Sequence, residues 1–523
     1  MELIIVLLYL SVYLSLSFVF CKNALHMFQQ NRYELRRYTK WLFNINNFDI
    51  TVAFIYVVFS ILFCLFFKES LFATFGILAV DIVAAIYFIY TEANKHYIKD
   101  LDITKRVKRQ IVCFAILMIA FEWFTITDLP LFLHGAVTVI APYLLIYVMA
   151  LITMPIEYLI KKRYENEARR ILDSQTNLIK IGITGSFGKT STKNIVTNII
   201  GENYYTLMTP ASYNTPMGIT RTIRENLKPI HEVFVCEMGA DKVNDISYLM
   251  DFVKPQYGIV TSIGPQHLNT FGTIENIIKE KMKEIEMLPE DGVGIVNYDI
   301  PYICDYVVEN SCKIVSVGIK NQNADYFAKN IKYTKDGSTF TVKINKKNYQ
   351  FETCLLGEHN ITNILIGIAL AIELNIPIKD IVENVKHVKQ VEHRLQVRNM
   401  NGYTFIDDAF NSNPSGFRMA VDVLNMMPGK RVIVTPGLID LGKEQDKYNK
   451  DLGNYMYGKV DYVILVGEKQ TKPIYDGLVA SGFNKNNIYV VQDVKLAFDY
   501  IYKNFSVKDT ILLENDLPDA FSK

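Results

Sequence analysis

Hydrophobic positions are spread unevenly along this chain. Five apolar runs crowd its first third: Leu3 to Phe20, Ile50 to Phe67, Leu71 to Tyr90, Ile111 to Ile126 and Ala136 to Met154. Each approaches the roughly 17 to 25 residues that cross hydrocarbon as a helix. A soluble core explains one such run far more easily than five in succession, so the pattern predicts a transmembrane region of about five helices over residues 1–155. The first run lacks the basic start and small-residue cleavage site of a signal peptide, and it is expected to be retained. After a charged connector, 156–177, the pattern changes. Short apolar runs ending in small or polar residues (KIGIT, EVFVCEMGA, YGIVTSIG, VGIVNYD) alternate with helix-length segments, and YTFIDDAFN, RVIVTPG, YVILVGE, IYVVQD and TILLEND repeat the theme. This alternation predicts parallel strands with crossover helices and ligand groups at the strands' carboxyl ends. The expected fold is therefore an α-helical transmembrane region followed by two α/β domains, 178–396 and 397–523, the second Rossmann-like.

Charge orients the apolar region. Lys22, Arg32, Arg36, Arg37 and Lys40 fill the first loop, Lys95, Lys99, Lys105, Arg106, Lys108 and Arg109 the third, and Lys161, Lys162, Arg163, Arg169 and Arg170 follow the fifth run. By the positive-inside rule this predicts a multi-pass protein of the cell membrane, with its amino terminus outside and everything after Met154 in the cytoplasm. Asp81 and Glu122 fall inside the third and fourth runs, where ionisable groups are costly. They either pair with polar neighbours or serve a substrate. A formal net charge of +1 gives no global attraction to nucleic acid. The seven cysteines are scattered without metal-ligand spacing and are read as reduced packing residues.

The candidate chemistry starts at ITGSFGKTST. A strand ending at Ile183, then Gly185, Ser186, Gly188, Lys189, Thr190 and Ser191 opening a helix, turns backbone N–H groups and a helix N-terminus toward phosphate oxygens. Lys189 would reach the β and γ phosphates of ATP and Thr190 would hold Mg2+. The loop is a variant, because Ile183 stands where the usual phosphate loop has its first glycine.

GITGSFGKTST resembles the ATP loop of the Mur ligase family, the ATP-dependent amide ligases of peptidoglycan precursor synthesis. VCEMGA around Glu237, IVTSIGPQHLNTFGTIENI around His267, the segment following Lys281, LLGEHNITN, HRLQV and IDDAFNSNPSG continue the likeness in order over about 178–523, and they resemble the MurF type. The resemblance implies a central ATP-binding domain and a C-terminal domain that closes on it. It implies transfer of the γ-phosphoryl group to a carboxylate and attack of an amine on the acyl phosphate. It assigns catalytic roles to Lys189, His267 and Lys281, and Mg2+ to Thr190, Glu237, His267 and Lys281. Lys281 aligns with a lysine that is carbamylated in many relatives, although Lys279 and Lys283 beside it would equally suit a solvated basic face. Asn360, Asn363, Arg394, Asp408 and Asn411 are expected at the nucleotide, Asn360 being also a natural helix cap, and Asn214 and Asn413 near substrate.

Departures shape the functional expectation. Thr215, Phe410 and Asp440 replace an asparagine, a tyrosine and a glutamate of the family pattern, and apolar runs stand where a UDP-binding domain would be. The expectation is a membrane-anchored carboxylate–amine ligase of cell-envelope precursors. Its partners would be ATP, an amino acid or dipeptide amine, a sugar-peptide or lipid-linked carboxylate, and membrane lipid. A ligase of poly-γ-glutamate type, or an ATP-gated transporter or sensor, is the alternative.

Overall fold

The computed structural model describes residues 2–43, 48–66, 71–95, 100–128, 131–334, 337–409, 412–439, 441 and 444–515. Two compact units result, Met1–Arg163 and Tyr164–Lys523.

The first unit is helical. It comprises α1 (Glu2–Gln30), α2 (Leu35–Leu42), α3 (Phe48–Phe66), α4 (Leu71–Ala93), α5 (Lys105–Asp128) and the start of α6 (Leu131–Ser174). Within the described residues all five apolar runs fall on helices, and α2 is an additional short one that buries Tyr38. Leu16, Phe28, Tyr38, Ile146 and Met149 are among its buried side chains. Each long helix also turns a bulky apolar side chain outward: Phe18 on α1, Phe54 on α3, Val83 on α4, Ile119 on α5 and Leu151 on α6 are all more than three-fifths exposed. Among the described residues, His134–Ser174 is long and apolar enough to cross a bilayer by length and composition. The two intrahelical acids have polar company. Asp81 accepts hydrogen bonds from Tyr13 Oη at 2.8 Å and Tyr56 Oη at 2.6 Å. Glu122 accepts from Ser17 Oγ at 3.2 Å and Thr138 Oγ1 at 3.4 Å, and lies 2.8 Å from His134 Nε2.

The expected connector is not a separate linker. Helix α6 runs on through Pro155 to Ser174, because Lys, Arg, Glu and Ala dominate residues 161–172 and are strong helix formers. Within the second unit its last turns are held by Tyr248 Oη, which donates to Glu165 Oε2 at 2.7 Å, and by an Arg224–Glu167 ion pair at 2.9 Å.

The second unit opens with β1 (Ile179–Thr184), α7 (Lys189–Gly201), β2 (Thr206–Met208), α8 (Pro216–Asn226), β3 (Val233–Glu237), α9 (Asp245–Val253), β4 (Tyr257–Val260), α10 (Leu268–Phe271), α11 (Ile274–Glu286), β5 (Val293–Asn297), α12 (Pro301–Cys304) and β6 (Lys313–Gly318). An antiparallel extension, β7 (Tyr326–Thr334), β8 (Gly337–Ile344) and β9 (Lys347–Thr353), precedes α13 (Glu358–Glu373) and α14 (Ile378–Lys386). The nine strands form one sheet in the order β2-β3-β1-β4-β5-β6-β7-β8-β9. Strands β3 and β5 are buried throughout, as parallel strands covered on both faces must be. Ile195, Ile199, Ile364 and Ile368 cover one face, and Leu249, Ile285 and Phe252 the other. Strand β1 lies between β3 and β4, so the strand order reverses there and opens a crevice at its carboxyl end.

A second sheet follows. Its elements are β10 (Gln396–Met400), β11 (Tyr403–Asp408), α15 (Pro414–Asn425), β12 (Arg431–Thr435), α16 (Gln445–Met456), β13 (Tyr462–Val466), α17 (Glu468–Ala480), β14 (Ile488–Val491), α18 (Val494–Asn504) and β15 (Thr510–Glu514), in the strand order β10-β11-β15-β12-β13-β14. All neighbours are parallel except β10 with β11. Both expected α/β domains are therefore present, and β10 starts one residue before the expected boundary.

Candidate active site

The loop between β1 and α7 is held by hydrogen bonds to the segment that follows β4. Ser186 donates its amide to Ser262 O at 2.8 Å and its hydroxyl to Gly264 O at 3.0 Å, while Phe187 N donates to Ser262 Oγ at 2.9 Å. Thr261 Oγ1 closes the loop from below by donating to Phe187 O at 2.6 Å. Gly185 has φ +150°, and a Cβ there would sit 2.1 Å from Thr261 Oγ1; Gly188, with φ +81°, is the N-cap of α7. The result is a cradle of backbone donors at a helix N-terminus, the arrangement that binds phosphate. Lys189 folds over it, donating to Gly185 O at 2.7 Å and Ser186 O at 3.2 Å. Burial lowers its pKa, Glu237 opposes that shift and Arg394 adds to it. Ser191, the third residue of α7, is buried behind the half-buried Lys189 and Thr190.

Glu237 ends β3 beside this loop and is 1% exposed. Its Oε2 accepts from Thr190 Oγ1 at 3.0 Å and from Lys193 Nζ at 3.1 Å, and its Oε1 accepts from Asn214 Nδ2 at 3.0 Å. Asn214 is thus a positioning group for Glu237, a more specific task than the substrate contact expected of it. Gly239 admits it, since a Cβ at that residue would lie 2.8 Å from the Asn214 amide. The Thr190 hydroxyl donates to Glu237 while its oxygen lone pairs remain available. A hydroxyl and a carboxylate so linked next to a phosphate cradle fit Mg2+, which prefers one or two carboxylates, water and substrate phosphate to an all-protein cage. Among the described residues no three His, Cys, Asp or Glu side chains form such a cage.

Lys281 lies on the inner face of α11 and is 2% exposed. The solvated-face alternative therefore fails for Lys281, while Lys279 does face solvent. Burial, with the Lys189 charge adding to it, brings the Lys281 pKa down to about 7, against the pull of Glu280, Asp241 and Glu284. Glu280 is occupied, accepting from the amides of Asn244 at 2.9 Å and Ile246 at 2.7 Å at the start of α9. Glu284 is fully buried with neither carboxyl oxygen hydrogen-bonded, in space left by Gly182, and burial raises its pKa to about 8. His267 is exposed, in the left-handed region at φ +54°, with its Nε2 3.4 Å from Asp241 Oδ1. Asp241 also acts electrostatically on Lys189 and Lys281, and so ties His267 to the same field.

The nucleotide-side residues gather where α13 and β11 begin and end. Asn363 accepts from Thr192 Oγ1 at 2.9 Å and leaves its Nδ2 buried without a hydrogen-bond partner, with its Oδ1 3.7 Å from where a Gly188 Cβ would be. That orphaned donor beside the loop suits a nucleotide. Asn360 is not the helix cap, which is Gly357; its Nδ2 donates to Leu356 O at 2.9 Å. Arg394 acts electrostatically on both Lys189 and Asp408. Burial raises Asp408 to about 6 and Arg394 opposes it; Leu395 N donates to Asp408 Oδ1 at 3.1 Å. Glu514, across from Asp408 in the register of β11 and β15, is fully buried and held well above the usual carboxylate range by burial and by Asp408. Asn413 caps α15, its Oδ1 accepting from Ser415 N at 3.1 Å and Gly416 N at 3.0 Å. Asn411, Phe410 and Asp440 lie outside the described residues.

Residues 183–371 match the profile of the Mur ligase middle domain, and residues 393–514 that of the Mur ligase glutamate ligase domain. The chain belongs to the Mur ligase family. Similar proteins include the UDP-N-acetylmuramoyl-tripeptide--D-alanyl-D-alanine ligase of Buchnera aphidicola (subsp. Baizongia pistaciae), 31% identical over 297 residues, or 56% of this chain and 64% of the relative. The Bacillus subtilis enzyme of the same name is 27% identical over 338 residues, covering 64% of this chain and 72% of the relative. The match thus spans 64% of the length of the Buchnera relative. MurF of Acinetobacter baumannii shares the fold with a TM-score of 0.61 at 24% identity, over 69% of this chain and 78% of that one. MurF of Thermotoga maritima, solved in complex with ADP, has the same TM-score at 22% identity, over 68% and 80%.

Four residues of this Mur ligase site went unread in the sequence. Lys193 and Asp241 carried a usable signal, the first one helical turn after Lys189 and the second directly after the EMGA motif. Glu284 and Glu514 carried none: Glu284 stands among the charged residues of KEKMKEIE and Glu514 at the polar end of TILLEND, and neither setting announces burial. Gly185→Ala forces a left-handed-side φ on an L-residue and drives a methyl into Thr261, so nucleotide affinity should fall at least about tenfold in a titration with a fluorescent ATP analogue.

Proposed function

We propose that this chain is a membrane-anchored, ATP-dependent carboxylate–amine ligase of the MurF-like type, working on a peptidoglycan-type precursor at the cytoplasmic face of the cell membrane. The observation that carries the chemistry is the convergence of Lys189, Thr190, Glu237 and Lys281 on one phosphate cradle in a Mur ligase chain. Ligation brings a carboxylate to the γ-phosphate of ATP, so two anions must meet, and positive charge has to be fixed in advance. Lys189 and the α7 N-terminus supply it. Mg2+, when bound, would screen the phosphate oxygens, and Thr190 and Glu237 would hold it, with His267 near through Asp241. The γ-phosphoryl group passes to the carboxylate, ADP leaves, and the amine attacks the acyl phosphate to give the amide and phosphate. Asn363, Arg394 and Asp408 would hold the nucleotide while the C-terminal domain shuts out water.

Lys281 is suited to carbamylation, because a buried lysine with a pKa of about 7 presents a neutral amine to CO2 at physiological pH. The carbamate would turn a cation into a ligating carboxylate facing the Mg2+ site. Membrane anchoring is supported by the five long helices, each with outward apolar side chains that water would not tolerate together. In the sequence the helical unit precedes the Mur ligase domains where a UDP-gripping domain would be expected, which favours a lipid-linked or membrane-proximal carboxylate, with an amino acid or dipeptide as the amine.

Phosphate release from ATP should require both partners, and the product should gain the mass of the amine. Lys189→Ala should lower that rate about 100-fold or more; an unchanged rate would remove the phosphate reading. Removing bicarbonate, or lowering pH from about 8 to about 6 so that Lys281 takes up its proton, should lower activity reversibly. Lys281→Ala should be inactive and regain turnover with short carboxylic acids, and indifference to all three treatments would eliminate the carbamate. The full chain should stay with membranes through an alkaline carbonate wash, with the segment after Lys161 cut by protease in inverted vesicles. Release by the wash, or protection of that segment, would contradict the anchoring.

A further inference from the structure

Helix α7 carries two lysines on one face, a turn apart, and the ligase chemistry above uses only the first. Lys193 is fully buried. Its Nζ lies 3.1 Å from Glu237 Oε2 and also donates to Ala211 O. Ala211 has φ +44°, a left-handed backbone that a non-glycine residue adopts at a cost, and its carbonyl is one of the two partners that hold the ammonium in place. Thr190 and Asn214 supply the other donors to the same carboxylate. A buried carboxylate needs a countercharge, and here a covalently tethered ammonium provides it with no free ion.

We propose that Lys193 is the resident cation of the Glu237 site, neutralising the carboxylate so that a divalent cation is admitted only together with the nucleotide. The inference rests on the reading of Thr190 and Glu237 as a Mg2+ site. A free metal ion approaching Glu237 meets a fixed positive charge 3.1 Å from its ligand oxygen and must also give up water, which Mg2+ does reluctantly. ATP changes the balance: its phosphates bring the metal in already chelated and add negative charge that offsets the ammonium. Lys193 would then remain beside Glu237 and orient its carboxylate, while Thr190 turns its lone pairs to the metal. Metal binding becomes conditional on substrate, which guards a buried acidic site against idle occupation.

Mn2+ binding to the full-length protein, followed by electron paramagnetic resonance with and without a non-hydrolysable ATP analogue, tests this. The signal counted is the part that Glu237→Gln removes. Wild type should bind Mn2+ at that site only with the nucleotide. Lys193→Met should bind it without nucleotide at least about tenfold more tightly than wild type, and Lys193→Arg, which keeps the charge, should behave as wild type. If Lys193→Met gains no nucleotide-free binding yet still binds Mn2+ with the analogue, the inference fails and the metal site stands. If no Glu237-dependent Mn2+ signal appears even with the analogue, the metal-site reading fails and this inference with it. Should Lys193→Met not fold, the wild type decides alone: nucleotide-free Mn2+ at Glu237 as tight as in the presence of the analogue would overturn the inference, and its absence would uphold it.

Discussion

A carboxylate removed from water has to be fully answered by its neighbours, and in this protein the answer to Glu237 assembles the site. Thr190 and Lys193 come from the helix of the phosphate loop, Asn214 from the segment before α8, and Glu237 itself from the end of a wholly buried strand. Satisfying that one group fixes α7 against β3, which in turn sets the loop glycines under Lys189. The cost of leaving a buried charge unpaired is several kcal/mol, larger than any single hydrogen bond in the network. The loop's rigidity has a second source in Thr261 and Ser262, which bond to it from the end of β4. Strands β3 and β4 thus clamp the cradle from both sides of β1.

Around this hub the charges are graded. Burial and then the Lys189 charge depress Lys281, burial and then the Asp408 charge raise Glu514, and Arg394 acts on both of those carboxyls. Like charges held together in a dry crevice are unfavourable without ligands and become favourable when phosphates and a metal bridge them. The site therefore stores its complementarity for an anionic, charge-transferring reaction and not for a neutral one. Glu284, buried beside Gly182 with neither oxygen hydrogen-bonded, is held toward its neutral form by burial, against the opposing Lys281 charge.

Much of this was legible from sequence because strand ends and a glycine loop leave local traces. Every expected parallel strand formed, and Gly185 to Thr190 built the cradle their spacing indicated. What escaped depends on contacts far apart in the chain. The antiparallel strands β7 to β9 went unread although Phe340, Val342 and Ile344 alternate with Thr341 and Lys343, and the connector is helical because its charged residues also favour helices. That Asn214 braces Glu237 and Asn413 caps α15 is visible only once the chain is folded. The burial of Lys281 could not be read from a run of lysines. It emerges only when α11 lies against the sheet, and it turns a solvated-looking residue into one that titrates near neutrality.

The most direct test of the account is to follow oxygen from the carboxylate. The full-length protein in detergent would be given ATP, Mg2+, an amine and a muramoyl-peptide precursor, UDP-linked or lipid-linked, labelled with oxygen-18 in its terminal carboxyl group. Activation as an acyl phosphate predicts that one labelled oxygen appears in the released phosphate for each amide formed. Amide formation with unlabelled phosphate, or phosphate release without any amide, would contradict the account that this site exists to activate a carboxylate.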